Sequence, residues 1–138
     1  MKFTLAIDPG GTTGLALRIN NDLLTTTVNT DVDLWKYFEN GETWPTTVVM
    51  EEWQYFNGIV TPAGFHTANL VASVRGICHI RCIPCLLRTP QSRYFRQRAA
   101  EEWLKKNKGM KGHEWVVHEA DALAHLLTWE SGGGTRRR

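Results

Sequence analysis

Apolar residues in the first part of the chain recur with a period of two. In residues 2–8, KFTLAID, Phe3, Leu5 and Ile7 alternate with smaller or polar partners, and Pro9-Gly10-Gly11 ends the run, so a first strand closes at Asp8. Thr12 to Ile19 follows the glycines directly and is expected to fold back as a hairpin partner, with Leu23 to Asn29 as a third strand. Asp31 or Asp33 can cap a short helix through Phe38, and Gly41 with Pro45 closes it before the β-branched run Thr46-Thr47-Val48-Val49-Met50, a fourth strand ending at Glu51.

Beyond an aromatic loop from Trp53 to Pro62 the period changes. Residues 63–78 place Leu70, Val74 and Ile77 at helical spacing, and Cys82 to Arg88 reads as a fifth strand. Thr89-Pro90 starts a helix expected to bury Phe95, Ala99 and Trp103, and a basic connector, Lys105 to Gly112, leads to a last helix over 115–129. That helix carries Val116, Ala120, Leu123 and Leu127 on one stripe. Three strands followed by alternating helices and strands predict an α/β domain on a central mixed five-stranded sheet flanked by helices. The length, 138 residues, suits a single domain over 1–130, followed by a basic tail over 131–138 expected to be disordered.

Composition narrows the class. No apolar run approaches the roughly eighteen residues a bilayer span needs, and Met1-Lys2-Phe3-Thr4 does not resemble a signal peptide, so a cytoplasmic protein, of a prokaryotic cell or a virus-infected host, is expected. The three cysteines, Cys78, Cys82 and Cys85, are odd in number and lack a second ligand pair, which favours reduced thiols over a disulfide or a zinc site. The net charge of +2 conceals an asymmetry: residues 1–70 hold 3 Lys/Arg against 8 Asp/Glu, whereas residues 71–138 hold 13 against 6. An acidic half that can supply carboxylates to metals and a basic half that can meet phosphates suit a nuclease.

Asp8, at a strand end before glycines, and Glu51, at another strand end, are placed where two carboxylates can converge, whereas Glu52 would point to the other side. On the last helix His118, Asp121 and His125 follow at three- and four-residue spacing and share one face, from which Glu119 points away. Each feature alone has an ordinary explanation as a turn, a strand terminus or a solvated helix face. Together they point to one centre.

These motifs, Ala6-Ile7-Asp8-Pro9-Gly10 with Thr13-Gly14-Leu15-Ala16, Val49-Met50-Glu51, Thr89-Pro90-Gln91-Ser92-Arg93 and the run from His118 to His125, resemble those of the RuvC-like Holliday-junction resolvases over nearly the whole chain. The resemblance implies a ribonuclease-H-like fold. It also implies a crossover junction endodeoxyribonuclease with two Mg²⁺ ions, or Mn²⁺, about 4 Å apart in each active site. Asp8, Glu51 and Asp121 match the family's carboxylates, and His118 falls where members have aspartate or histidine, a substitution that suits Mn²⁺. A homodimer acting on a four-way junction is implied, with phosphate contacts from Arg93, Arg96, Arg98, Lys105, Lys106, Lys108, Lys111 and the terminal arginines. Trp53, Tyr55 and Phe56 are the candidates for stacking on unpaired bases, at about 1–3 kcal/mol each.

Three competing readings follow. A similar opening, Asp-x-Gly-Thr-Thr, also occurs in the phosphate loop of actin-like ATPases and sugar kinases, but those need a second glycine-rich phosphate loop and a longer chain. A nuclease for other branched DNA or RNA–DNA substrates would use the same residues. A non-catalytic DNA-binding module of this fold would not need all four positions filled by competent side chains.

Overall fold

The computed structural model describes residues 2–38, 44–52, 62–109 and 114–132. Strands β1 (Phe3–Asp8), β2 (Thr13–Ile19) and β3 (Asp22–Val28) form an antiparallel meander. Helix α1 (Asp31–Phe38) leads to β4 (Thr47–Glu51), which pairs in parallel with the free edge of β1. Helix α2 (Pro62–Ile80) then crosses to β5 (Cys85–Arg88), parallel to β4. A 3-10 turn over Pro90–Arg96 runs into α3 (Gln97–Lys108), and α4 (Glu114–Glu130) follows. The result is a five-stranded mixed sheet of order β3-β2-β1-β4-β5. Among the described residues no helix is long and apolar enough to cross a membrane.

The strand alternation sorts side chains by size between the two sheet faces. Phe3, Leu5, Ile7, Leu15, Leu17, Val48 and Met50 pack with Leu34 and Phe38 of α1 and Leu70 and Val74 of α2. On the other face Ala6, Ala16 and Val49 meet Ala100 and Leu104 of α3 and Ala120, Leu123 and Ala124 of α4. Ala6 lies in register with both Ala16 and Val49, so a row of small residues crosses the sheet beneath α4. Its neighbour in the next row is Gly14, opposite Asp8. A Cβ at Gly14 would collide with the backbone carbonyl of His118 and lie 2.7 Å from the Glu119 amide nitrogen, so only glycine admits the helix at this depth.

Several boundaries differ from the sequence reading. Thr30, not Asp31 or Asp33, caps α1, its hydroxyl accepting the Asp33 amide at 3.1 Å. Helix α2 continues to Ile80 and turns through Arg81 and through Cys82, which has a positive φ of 56°, so the fifth strand begins at Cys85 rather than Cys82. All three cysteines are free.

The expected stripe of Phe95, Ala99 and Trp103 is displaced. Phe95 is 63% exposed and Ala99 is also exposed, whereas Ala100 and Leu104 are buried with Trp103 partly covered. Pro90 starts a 3-10 segment that persists for seven residues, advancing about 120° per residue instead of about 100°, which shifts the buried face before the α-helix begins. Helix α4 also departs from a simple amphipathic pattern, since His125 is 1% exposed although it lies away from the Ala120–Leu123 stripe. The sheet covers one side of α4, and the 3-10 segment and α3 cover others. The side chain of Val116, the expected start of the α4 stripe, and the residues Trp53, Tyr55, Phe56, Lys111 and the tail over 133–138 lie outside what is described.

Candidate active site

Parallel pairing of β1 with β4, with Ile7 opposite Met50, sets Asp8 and Glu51 side by side at the carboxyl ends of two central strands. Both follow residues of the small-residue face by two positions, Ala6 and Val49, so both carboxylates point towards α4. From that helix His118 Nδ1 comes within 3.0 Å of Asp8 Oδ2, and Asp121 Oδ1 accepts a hydrogen bond from Gln97 Nε2 at 3.1 Å. The four residues singled out from the sequence, Asp8, Glu51, His118 and Asp121, thus meet in one place. Arg93 joins them: its Nη1 donates to Glu51 Oε1 at 2.8 Å and its Nε lies 3.3 Å from Asp121 Oδ1. Behind Glu51, His125 Nε2 stands 3.6 Å from Oε2.

Crowding three carboxylates in a half-buried centre sets its proton affinity. Burial, with lesser contributions from Glu51 and Asp121, pushes the Asp8 carboxyl up to about 8, against the opposing hydrogen bond from His118. The His118 imidazole is raised in turn, first by its hydrogen bond to Asp8. The 3.0 Å contact between Asp8 Oδ2 and His118 Nδ1 thus favours the ionised carboxyl and the protonated imidazole, against the burial of Asp8. Burial also raises Asp121, opposed by Arg93 and Gln97. Glu51 goes the other way: burial would raise it, but the His125 imidazole 3.6 Å away, the adjacent Asp8 carboxyl and the charge of Arg93 together hold it at about 2.

No protein-family model and no curated protein sequence matches the chain. Solved structures do. The Thermus thermophilus RuvC in complex with a Holliday junction superposes with a TM-score of 0.64 at 18% identity, over 93% of this chain and 92% of that one. Another structure of Thermus thermophilus RuvC gives 0.57 at 17% identity, over 91% and 92%. The yeast mitochondrial Holliday junction resolvase Ydc2 gives 0.61 at 16% identity, over 93% and 77%. The chain has the RuvC fold. This is the ribonuclease-H-like architecture expected from the sequence, and at such identities the agreement is one of fold.

On this RuvC-type frame the basic residues divide into two groups. Arg96, Arg98, Lys105 and Lys106 are exposed along the 3-10 segment and α3. Arg93 and Lys108, expected beside them as phosphate contacts, turn inward instead. Arg93 enters the carboxylate centre, and Lys108 Nζ bonds Glu119 Oε1 at 2.7 Å and the Thr25 carbonyl at 2.9 Å. Glu119 also accepts from Thr27 Oγ1 at 2.8 Å, away from Asp121 as its helical position implied.

The sequence reading missed Gln97 as a partner of Asp121. Its signal was its position four residues after Arg93, at the junction of the 3-10 segment and α3. His125 was seen on the right helix face but not as a neighbour of Glu51, a relation that requires α4 to be docked.

The donor set suits a hard divalent cation, with carboxylate oxygens from Asp8, Glu51 and Asp121 and an imidazole from His118. Arg93 sets one guanidinium against Glu51 and Asp121, while Asp8 is raised first by burial and then by those two carboxylates. As they stand, no three acidic, histidine or cysteine side chains among the described residues are spaced to clasp an ion. Glu51 and Asp121 are turned to Arg93 and Gln97, and Asp8 to His118.

Proposed function

We propose that this chain is a divalent-metal-dependent endodeoxyribonuclease that resolves four-way DNA junctions as a homodimer. The observation that carries the reading is the meeting of Asp8, Glu51, His118 and Asp121 at one end of the central strands, with burial and the neighbouring carboxylates pushing the Asp8 carboxyl up to about 8.

Asp8, Glu51 and Asp121 would hold the cations, which when bound neutralise charge on the reacting phosphate and acidify a water. As a ligand Asp8 would be ionised, and it would accept the Nδ1–H of a neutral His118. His118 is held by Asp8 through Nδ1, which leaves Nε2 to take a proton from the attacking water. Arg96, Arg98, Lys105 and Lys106 bind the phosphodiester backbone without reading sequence, so affinity falls steeply with salt. Two opposed strands of a junction must be cut symmetrically, which a two-fold dimer achieves with one centre per strand. The matched Thermus thermophilus protein was solved with such a junction, which supports the choice of substrate.

The test incubates the protein with a labelled immobile four-way junction, a flap, a duplex and an RNA–DNA hybrid, with Mg²⁺ or Mn²⁺, beside Asp8→Asn. Paired nicks in opposed strands of the junction are expected, and the variant should lose about 10³-fold or more in rate while still binding DNA. Preferential cleavage of another substrate would discard the junction assignment, and no cleavage with either metal would leave a DNA-binding module.

A further inference from the structure

Arg93 was expected on the DNA-facing surface, but its side chain is turned into the carboxylate centre and is only 20% exposed. Four contacts hold it there. Nη1 reaches both Glu51 Oε1 and the Pro90 carbonyl at 2.8 Å, Nε lies 3.3 Å from Asp121 Oδ1, and the guanidinium carbon sits 4.9 Å from the centroid of the Tyr94 ring. The two carboxylates it bridges are 12% and 13% exposed, so neither can be neutralised by water alone at small cost. A planar fork between two largely covered carboxylates stands where a divalent cation would be held and supplies half of its charge.

We propose that Arg93 is an internal counter-ion that closes the centre in the metal-free protein and must release Glu51 and Asp121 for a divalent cation to bind. The inference rests on the metal-dependent reading of the site. Two of the four contacts, to the Pro90 carbonyl and the Tyr94 ring, lie within the 3-10 segment that carries Arg93 and do not involve the carboxylates. The guanidinium can therefore leave Glu51 and Asp121 without losing all of its partners. Tyr94 is 64% exposed, so a released Arg93 comes out on the surface that also bears Arg96, where a phosphodiester would lie. Cation loading and the appearance of a phosphate-binding arginine then become one event.

A clamp closed about nine-tenths of the time weakens apparent cation affinity about tenfold, and removing it restores that factor. Mn²⁺ titrated into the DNA-free protein, with the free ion read by electron paramagnetic resonance, should bind Arg93→Gln about tenfold more tightly than the wild type, with Arg93→Lys between the two. Without metal, Arg93→Gln should melt at a lower temperature, since it leaves Glu51 and Asp121 uncompensated.

The wild type gives a second readout that needs no variant. The Arg93 side-chain Nε–H, observed by ¹⁵N nuclear magnetic resonance, should be protected from water exchange in the metal-free protein and lose that protection as Mg²⁺ saturates. Unchanged or weaker Mn²⁺ binding by Arg93→Gln, or an Nε–H signal that stays protected at saturating Mg²⁺, overturns the proposal. If neither wild type nor variant binds Mn²⁺ at all, the metal-dependent reading of the centre fails with it.

Discussion

The two faces of the sheet are built from the same strands and do different work. The α1/α2 face holds Phe3, Leu5, Ile7, Leu15 and Met50, large side chains that fill space and keep the helices at a distance. The α3/α4 face holds Gly14, Ala6, Ala16 and Val49, whose small size lets the backbone of α4 come down onto β2 at His118. Asp8 and Glu51 belong to this second face by strand parity. The face that carries the candidate site is thus the thin one: close helix approach, rather than a cavity, brings an imidazole and a third carboxylate to two strand ends. Packing density stabilises one side, and close backbone contact gathers the polar cluster on the other.

This contrast can be broken at either face. Leu5→Ala, on the bulky face, should cost about 2–5 kcal/mol by denaturant unfolding, since Leu5 is completely buried. The folded fraction of that variant should bind Mn²⁺ as the wild type does. Gly14→Ala should cost less, about 1–3 kcal/mol, because the methyl group drives α4 off the sheet instead of leaving a hole. It should nevertheless lower cleavage of a four-way junction about a hundredfold by moving His118 away from Asp8. If Leu5→Ala harmed metal affinity as much as Gly14→Ala did, the division of labour between the faces would be wrong.

A smaller effect follows from the proton held in the centre. Asp8 lies at about 8 in the folded protein against an ordinary 3.8, so the folded state binds that proton more tightly than the unfolded chain. Its contribution is fully present below about pH 4 and is lost as pH rises towards 8. The raised His118 has the same sign, and Glu51, lowered from 4.5 to about 2, acts in the opposite sense only in its more acidic window. The melting temperature of the metal-free protein should carry this downward component between pH 4 and 8, and Asp8→Asn should flatten it. Mn²⁺ affinity should rise over the same range, as binding expels the proton. The smallest effect is expected at Phe95→Ala, within about 0.5 kcal/mol of the wild type, because Phe95 is on the surface rather than in the core stripe.

Much of the fold could be read from local pattern. Alternation in residues 2–8 and the β-branched run before Glu51 mark strands because side chains on a strand project with period two, and the same parity assigns Asp8 and Glu51 to one side once the strands are paired. Helix boundaries after Pro90 were harder. The 3-10 geometry there depends on how the segment seats against α4, so a helical wheel drawn with 100° steps put Phe95 and Ala99 inside when Ala100 and Leu104 are the buried pair. Thr30 was passed over as a cap because two aspartates followed it closely, and only the observed hydrogen bond to Asp33 separates the three.

By itself the sequence determined the strand and helix order, the identities of the four residues that meet at the centre and the segregation of acidic from basic charge. Each is a property of spacing along one segment or of composition. The tertiary structure alone decided that Arg93 and Lys108 turn inward, that Asp8 and His118 come within 3.0 Å, that Gln97 steadies Asp121 and that His125 backs Glu51. These depend on distances between segments separated by tens of residues in the chain, and on the burial that raises one carboxylate while its neighbour is held low. Local periodicity carries no information about either.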